Sequence, residues 1–163
     1  MIILGIDPGT TAIGYALLDS AYSVRMIEAG LVRIKSKDSK TRIQELYSGL
    51  TALIKKNEPA VCAIERLFFA KNVKTGIAVA ESRGIILLTV AQADLSIYEY
   101  TPLEIKQTVT GSGNADKTQV EKMLRLTMPE LKNFTARDDV FDAIAVGVTC
   151  HLRNRQLKIK TDT

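Results

Sequence analysis

The chain reads as a single α/β domain built on a mixed sheet, and three observations carry that reading. Three strand-like apolar runs follow one another at the start, joined by short turns, as in an antiparallel meander. From about Lys40 onward helical and strand patterns alternate, which calls for parallel strands joined by helical crossovers, with helices covering both faces of the sheet. The length of 163 residues gives room for one sizeable core and too little for two.

The elements follow in order. Residues 2–7, 12–18 and about 23–34 are the three opening strands, with Pro8-Gly9 and Asp19-Ser20 as the turns. Ile43, Leu46, Tyr47, Leu50, Leu53 and Ile54 recur at steps of three and four, so about 40–56 is a helix. Asn57-Glu58-Pro59 breaks it before the apolar strand Val61-Cys62-Ala63-Ile64-Glu65. A long helix rich in Ala, Ile and Leu spans about 74–94, a fifth strand covers 96–100, and a short helix follows Pro102 over 103–109. Beyond the loop Thr110-Gly111-Ser112-Gly113-Asn114, two more helices cover about 116–128 and 137–152. The expected organisation is a domain over 1–152 and a mobile basic tail over 153–163, which carries Arg153, Arg155, Lys158 and Lys160 with little to pack.

Composition narrows the class. Twenty-two Lys and Arg against 18 Asp and Glu give a formal charge of +4, which favours polyanionic partners. Cys62 and Cys150 are isolated, so neither a disulfide framework nor a zinc site is indicated. The N-terminus begins directly with a strand, and no apolar run approaches the roughly 18–20 residues that span a bilayer, so a soluble, cytoplasmic protein is expected.

The carboxylates carry the chemistry. Asp7 and Glu65 each end a strand apolar enough to be buried on both faces, where an unpaired charge is costly unless a cation compensates it. Asp138, Asp139 and Asp142 open an equally apolar helix; Asp139 with Asp142, or Asp138 with Asp142, would share a face. Thr135, three residues before Asp138, fits a capping box and gives Asp138 a structural task, which favours Asp139 for the site. The plain alternative is that all three acids serve the positive end of the helix, although Asp142 lies too far inside for that. Gathered together, such acids repel one another without bound cations, and an all-oxygen set suits Mg²⁺ or Mn²⁺. Two such ions about 3.5–4 Å apart are the known device for in-line displacement at phosphate, so phosphodiester hydrolysis is expected.

Four motifs in order give the chain a family likeness: Gly5-Ile6-Asp7-Pro8-Gly9, Ala63-Ile64-Glu65 running into Phe68-Phe69-Ala70-Lys71-Asn72, Lys106-Gln107-Thr108-Val109, and Asp139-Val140-Phe141-Asp142-Ala143. Over almost its whole length the sequence resembles the RuvC-type Holliday junction resolvases of bacteria, within the RNase H-like superfamily. The resemblance implies a five-stranded RNase H-like sheet and a Mg²⁺-dependent crossover junction endodeoxyribonuclease with two ions per site, Mn²⁺ able to substitute. It implies Asp7, Glu65, Asp139 and Asp142 as the catalytic, metal-binding acids. It further implies a homodimer that nicks two strands of a four-way DNA junction symmetrically during recombination and repair, with the RuvA–RuvB branch-migration complex as a possible partner. The long helix beginning near Lys74 is the candidate dimer interface.

Arg66, Lys71, Lys74 and Arg83 flank Phe68 and Phe69, a basic segment with aromatic rings suited to phosphates and an unpaired base. By resemblance Phe68 is the wedge, while both rings as core residues is the competing reading. Lys106 and Lys117 match lysines the family places near the scissile phosphate. Residues 111–118 almost spell a phosphate-binding P-loop, but Asp116 stands where glycine is required. The Asp7-Pro8-Gly9-Thr10 turn also suits actin-like and sugar-kinase ATPases, which need two such domains and a second phosphate loop that this chain lacks.

Overall fold

The computed structural model describes residues 1–66 and 73–161, with side chains for 1–66 and 76–154. The elements are β1 (Ile2–Asp7), β2 (Ala12–Asp19), β3 (Arg25–Arg33), α1 (Ser39–Asn57), β4 (Val61–Glu65), α2 (Val73–Gln92), β5 (Ser96–Tyr100), α3 (Pro102–Thr110), α4 (Lys117–Thr127), a 3₁₀ turn (Pro129–Leu131) and α5 (Asp138–Thr161). The five strands form one sheet in the order β3-β2-β1-β4-β5. β1 pairs antiparallel with β2 and β2 with β3, whereas β1–β4 and β4–β5 are parallel. This is the meander joined to helical crossovers that the sequence pattern requires.

Strand periodicity sorts the core into two layers. Ile3 of β1 and Val61 and Ala63 of β4 pack with α5, while Leu4, Ile6, Cys62 and Ile64 pack with α1 and α2. Ile3, Leu4, Ile6, Ala63 and Ile64 are all fully buried, and enclosing each of the larger side chains contributes about 1.5–3 kcal/mol. Since alternate residues share a face, Asp7 and Glu65 fall on the face covered by α5.

α5 lies unusually close to the sheet because glycines face it. A methyl group on Gly5 would overlap the Ala143 carbonyl oxygen, and one on Gly14 would overlap the carbonyl oxygen of Asp139. The helix is therefore seated by missing side chains on β1 and β2, which fixes the height of its acidic first turns above the strand ends.

Helix ends are specified locally. Asp38 accepts from the Thr41 backbone N–H at 2.9 Å to open α1, and Glu58 closes it in the left-handed region at φ 45°. Thr101 and Glu104 form a capping box around Pro102 at the start of α3, and Asp116 and Gln119 form another at α4. Asp116, the residue that breaks the P-loop pattern, is thus an N-cap.

Two expectations need correction. α5 starts at Asp138, with the Arg137 carbonyl accepting from Val140 N–H, so Thr135 lies too early to cap it. The helix also passes Leu152 and runs to Thr161, so residues 153–161, expected as a tail, continue it. Arg153 has something to pack on: its guanidinium pairs with Glu104 at 2.8 Å and lies over the Tyr100 ring at 5.7 Å. Among the described residues, no helix is long and apolar enough to cross a membrane.

Candidate active site

β1 and β4 run side by side in parallel, and the last paired residues, Ile6 and Ile64, are followed directly by Asp7 and Glu65. The two carboxyl groups consequently leave the sheet at the same end and on the same face. Asp7 is also opposite Gly14 in the β1–β2 register, and Gly14 is the residue on which the Asp139 backbone rests. Strand pairing and one absent side chain together bring Asp139 beside Asp7.

Asp7, Glu65, Asp139 and Asp142 line one cleft of about 420 Å³, with Lys106 of α3, Lys117 of α4 and the apolar wall Pro102, Ile105, Val120 and Ala145. The choice among the α5 acids is decided by exposure. The side chains of Asp139 and Asp142 are 33% and 29% exposed, whereas that of Asp138 is 80% exposed and stands outside.

The electrostatics are those of buried carboxylates crowded together and only partly offset by cations. Burial, reinforced by Glu65, Asp142 and Asp139, pushes Asp7 up to about 8, with Lys117 pulling against it. Burial and Asp142 push Glu65 up to about 7, with Lys117 and Lys106 opposing. Lys117 Nζ lies 2.7 Å from Asp142 and 4.0 Å from Asp138, and this hydrogen bond raises the lysine above its ordinary value. Arg137 reaches Asp139 at 3.1 Å.

A hard cation fits this donor set. The donors are carboxylate oxygens with no thiol or imidazole among them, and a divalent ion would offset both the burial that chiefly keeps Asp7 and Glu65 protonated and the repulsion that adds to it. Among the described residues no three acidic, His or Cys groups close into a finished metal cage. The acids line the walls of the cleft instead, and lysine and arginine hold the two on α5.

The other expected residues fall in different places. Phe68, Phe69 and Lys71 lie outside the described residues, and Lys74 is described only as backbone in the first turn of α2. Arg83, expected on DNA, has a side chain 17% exposed that pairs with Glu99 of β5 at 2.6 Å. Glu99 also holds Arg66 at 3.4 Å, so the residue following Glu65 is tied to the sheet edge. Arg42 of α1 is a residue the sequence reading missed, donating to the Thr10 carbonyl at 2.6 Å in the turn after Asp7. Its signal, a lone Arg on an amphipathic helix, does not distinguish it from a solvated one.

The family model for the crossover junction endodeoxyribonuclease RuvC matches residues 3–151. Proteins named crossover junction endodeoxyribonuclease RuvC include one from Caldicellulosiruptor saccharolyticus, 45% identical over 93% of this chain and 92% of its own length. Another, from Halothermothrix orenii, is 42% identical over 100% of this chain and 99% of its own. Among solved structures, the Thermus thermophilus RuvC bound to a Holliday junction substrate superposes with a TM-score of 0.87 at 26% identity, covering 96% of each chain. The yeast mitochondrial Holliday junction resolvase Ydc2, 14% identical, shares the fold with a TM-score of 0.69 over 99% of this chain and 84% of that one.

Proposed function

The chain belongs to the RuvC family of crossover junction endodeoxyribonucleases, and from that premise we propose that it resolves four-way DNA junctions by hydrolysing one phosphodiester in each of two strands. The observation that carries this reading is the meeting of Asp7, Glu65, Asp139 and Asp142 in a single cleft with Lys106 and Lys117 on its wall. Mg²⁺, two ions per site with Mn²⁺ able to substitute, would be held by the four carboxylates and would supply an activated water and charge neutralisation at phosphorus and at the departing 3′ oxygen.

The chain's own groups do the rest. Asp7 and Glu65, fixed on adjacent strand ends, give the site a rigid floor, and Asp139 and Asp142 on α5 close it from above. Lys117 and Lys106 place positive charge where the non-bridging phosphate oxygens must lie, steering the strand in and balancing the transition state. Phe68, Lys71 and Lys74 are the proposed contacts to the opened crossover.

A homodimer would present two such clefts to one junction. The α1–α2 face suits that contact: Ile43, Tyr47, Ile77 and Leu88 are 52%, 42%, 54% and 57% exposed, an apolar stripe that a partner would cover. We place the nuclease domain over residues 1–152, with α5 continuing past its end and Arg153 packed on it, and the RuvA–RuvB complex among the partners, with the cytoplasm as the compartment.

The test is cleavage of a synthetic four-way junction, a linear duplex and an RNA–DNA hybrid, each with and without Mg²⁺. Paired symmetric nicks in the junction alone, dependent on Mg²⁺, are expected. Cleavage of the hybrid instead would move the chain to RNA processing, and binding without cutting would make it a junction-recognition module.

A further inference from the structure

We propose that Arg137 is a substrate-positioning residue that exchanges its carboxylate partner for a backbone phosphate of the DNA strand entering the cleft; this rests on the nuclease reading above. Arg137 immediately precedes α5, and its guanidinium lies 3.1 Å from Asp139, one of the four acids lining the cleft. The Arg137 side chain is 61% exposed, so the guanidinium bridges the acidic interior and the solvent through which DNA approaches.

The energetics favour exchange. An exposed ion pair such as this typically contributes about 0–1 kcal/mol, so releasing it costs little. A guanidinium on a phosphate gains two parallel, charge-assisted hydrogen bonds, a geometry that its planar fork matches and an ammonium does not. With a cation held by Asp139, the positive charge of Arg137 beside it would be repelled, and a phosphate of the entering strand would offer the arginine a new partner. Lys117 holds Asp142 in the same manner from α4, so both α5 acids carry a removable organic cation. Arg137 differs in lying outside the set of residues that line the cleft.

The experiment uses the full chain and compares wild type with Arg137→Ala and Arg137→Lys. Junction binding is titrated across a salt series in Ca²⁺, and Mn²⁺ binding is measured by electron paramagnetic resonance with no DNA present. Arg137→Ala is expected to weaken junction binding several-fold and to reduce the slope of log K against log salt by about 1. It is also expected to tighten Mn²⁺ binding two- to five-fold, since a competing cation is gone. Arg137→Lys is expected to restore the salt slope but only part of the affinity. An unchanged slope together with unchanged Mn²⁺ binding in Arg137→Ala would overturn the proposal. Wild-type cleavage of the junction in Mg²⁺ is run in parallel: its presence confines such a failure to Arg137, while its absence overturns the nuclease reading and this inference with it.

Discussion

Asp7 and Glu65 are acids that the fold holds protonated towards neutral pH, at about 8 and about 7, chiefly because they are buried. Below the ordinary carboxyl range both folded and unfolded chains carry these protons, so the groups have no effect on stability there. Between that range and the raised values the folded chain keeps protons the unfolded chain has lost, and stability falls with each step up in pH. The metal-free protein should therefore melt at a lower temperature near pH 8 than near pH 6, and Asp7→Asn should flatten most of that slope. A thermal melt series in EDTA checks it; equal slopes in wild type and variant would remove Asp7 as the source. Added Mg²⁺ should raise the melting temperature more near pH 8 than near pH 6, because binding requires the deprotonated acids. In turnover, Asp7→Asn should lose about three orders of magnitude, ~4 kcal/mol of transition-state stabilisation, while junction binding persists. Asp138→Asn, outside the cleft, should lose less than about three-fold on the same scale, and single-turnover rates for the two variants decide whether exposure identified the right α5 acid.

The β1–β2 hairpin and α5 meet through glycine, and the site depends on that contact as much as on its acids. Gly14→Ala would force the first turn of α5 away from β2, because the added methyl group meets the Asp139 carbonyl oxygen. We expect it to fold with a loss of about 1–3 kcal/mol, as over-packing usually costs, and to lose activity far beyond that because Asp139 moves relative to Asp7. Chemical denaturation beside single-turnover cleavage separates the two; activity falling only in step with stability would mean that helix height does not matter to the site. Little of this was legible in the sequence. Asp7 and Glu65 could be found because a charge ending an apolar strand violates the burial pattern, and the helix carrying Asp139 and Asp142 violates it in the same way. Gly14 violates nothing, since a glycine in a strand has many uses, and its role appears only when the register sets it opposite Asp7. Arg83 shows the converse: a basic residue near an aromatic segment reads as a phosphate contact, and the sequence pattern gives no sign of the Glu99 carboxylate it pairs with across the fold. The length of α5 was misjudged because the packing of Arg153 on Tyr100 and Glu104 is a long-range contact that periodicity cannot register.

At the scale of the whole molecule, one face of the sheet bears the acidic cleft beneath α5 and the opposite face is covered by α1 and α2. Arg42 links the layers. Arg42, on the α1–α2 side, reaches the Thr10 carbonyl in the turn that follows Asp7, and the same arginine borders the groove between α1 and α2 with Ile43, Ser82, Ile85 and Leu88. A partner subunit seated on that groove would thus press on the helix that steadies the turn after Asp7, and dimer formation would favour order at the proposed site. Gly84 leaves open space on α2 within this groove, and Ile77 and Leu88 stand exposed on either side of it along the helix. Leu88→Glu places a charge in the middle of the proposed contact without touching the cleft, and burying it unpaired would cost several kcal/mol. Sedimentation of wild type is expected at twice the 17.9 kDa chain mass and of Leu88→Glu at that mass alone. On a four-way junction the variant should leave mostly single nicks, separated in time, in place of the paired nicks of a dimer. A variant that sediments as a dimer and still cuts both strands together would show that subunits meet on another face, and the Arg42 link would then connect the site to nothing beyond its own helix.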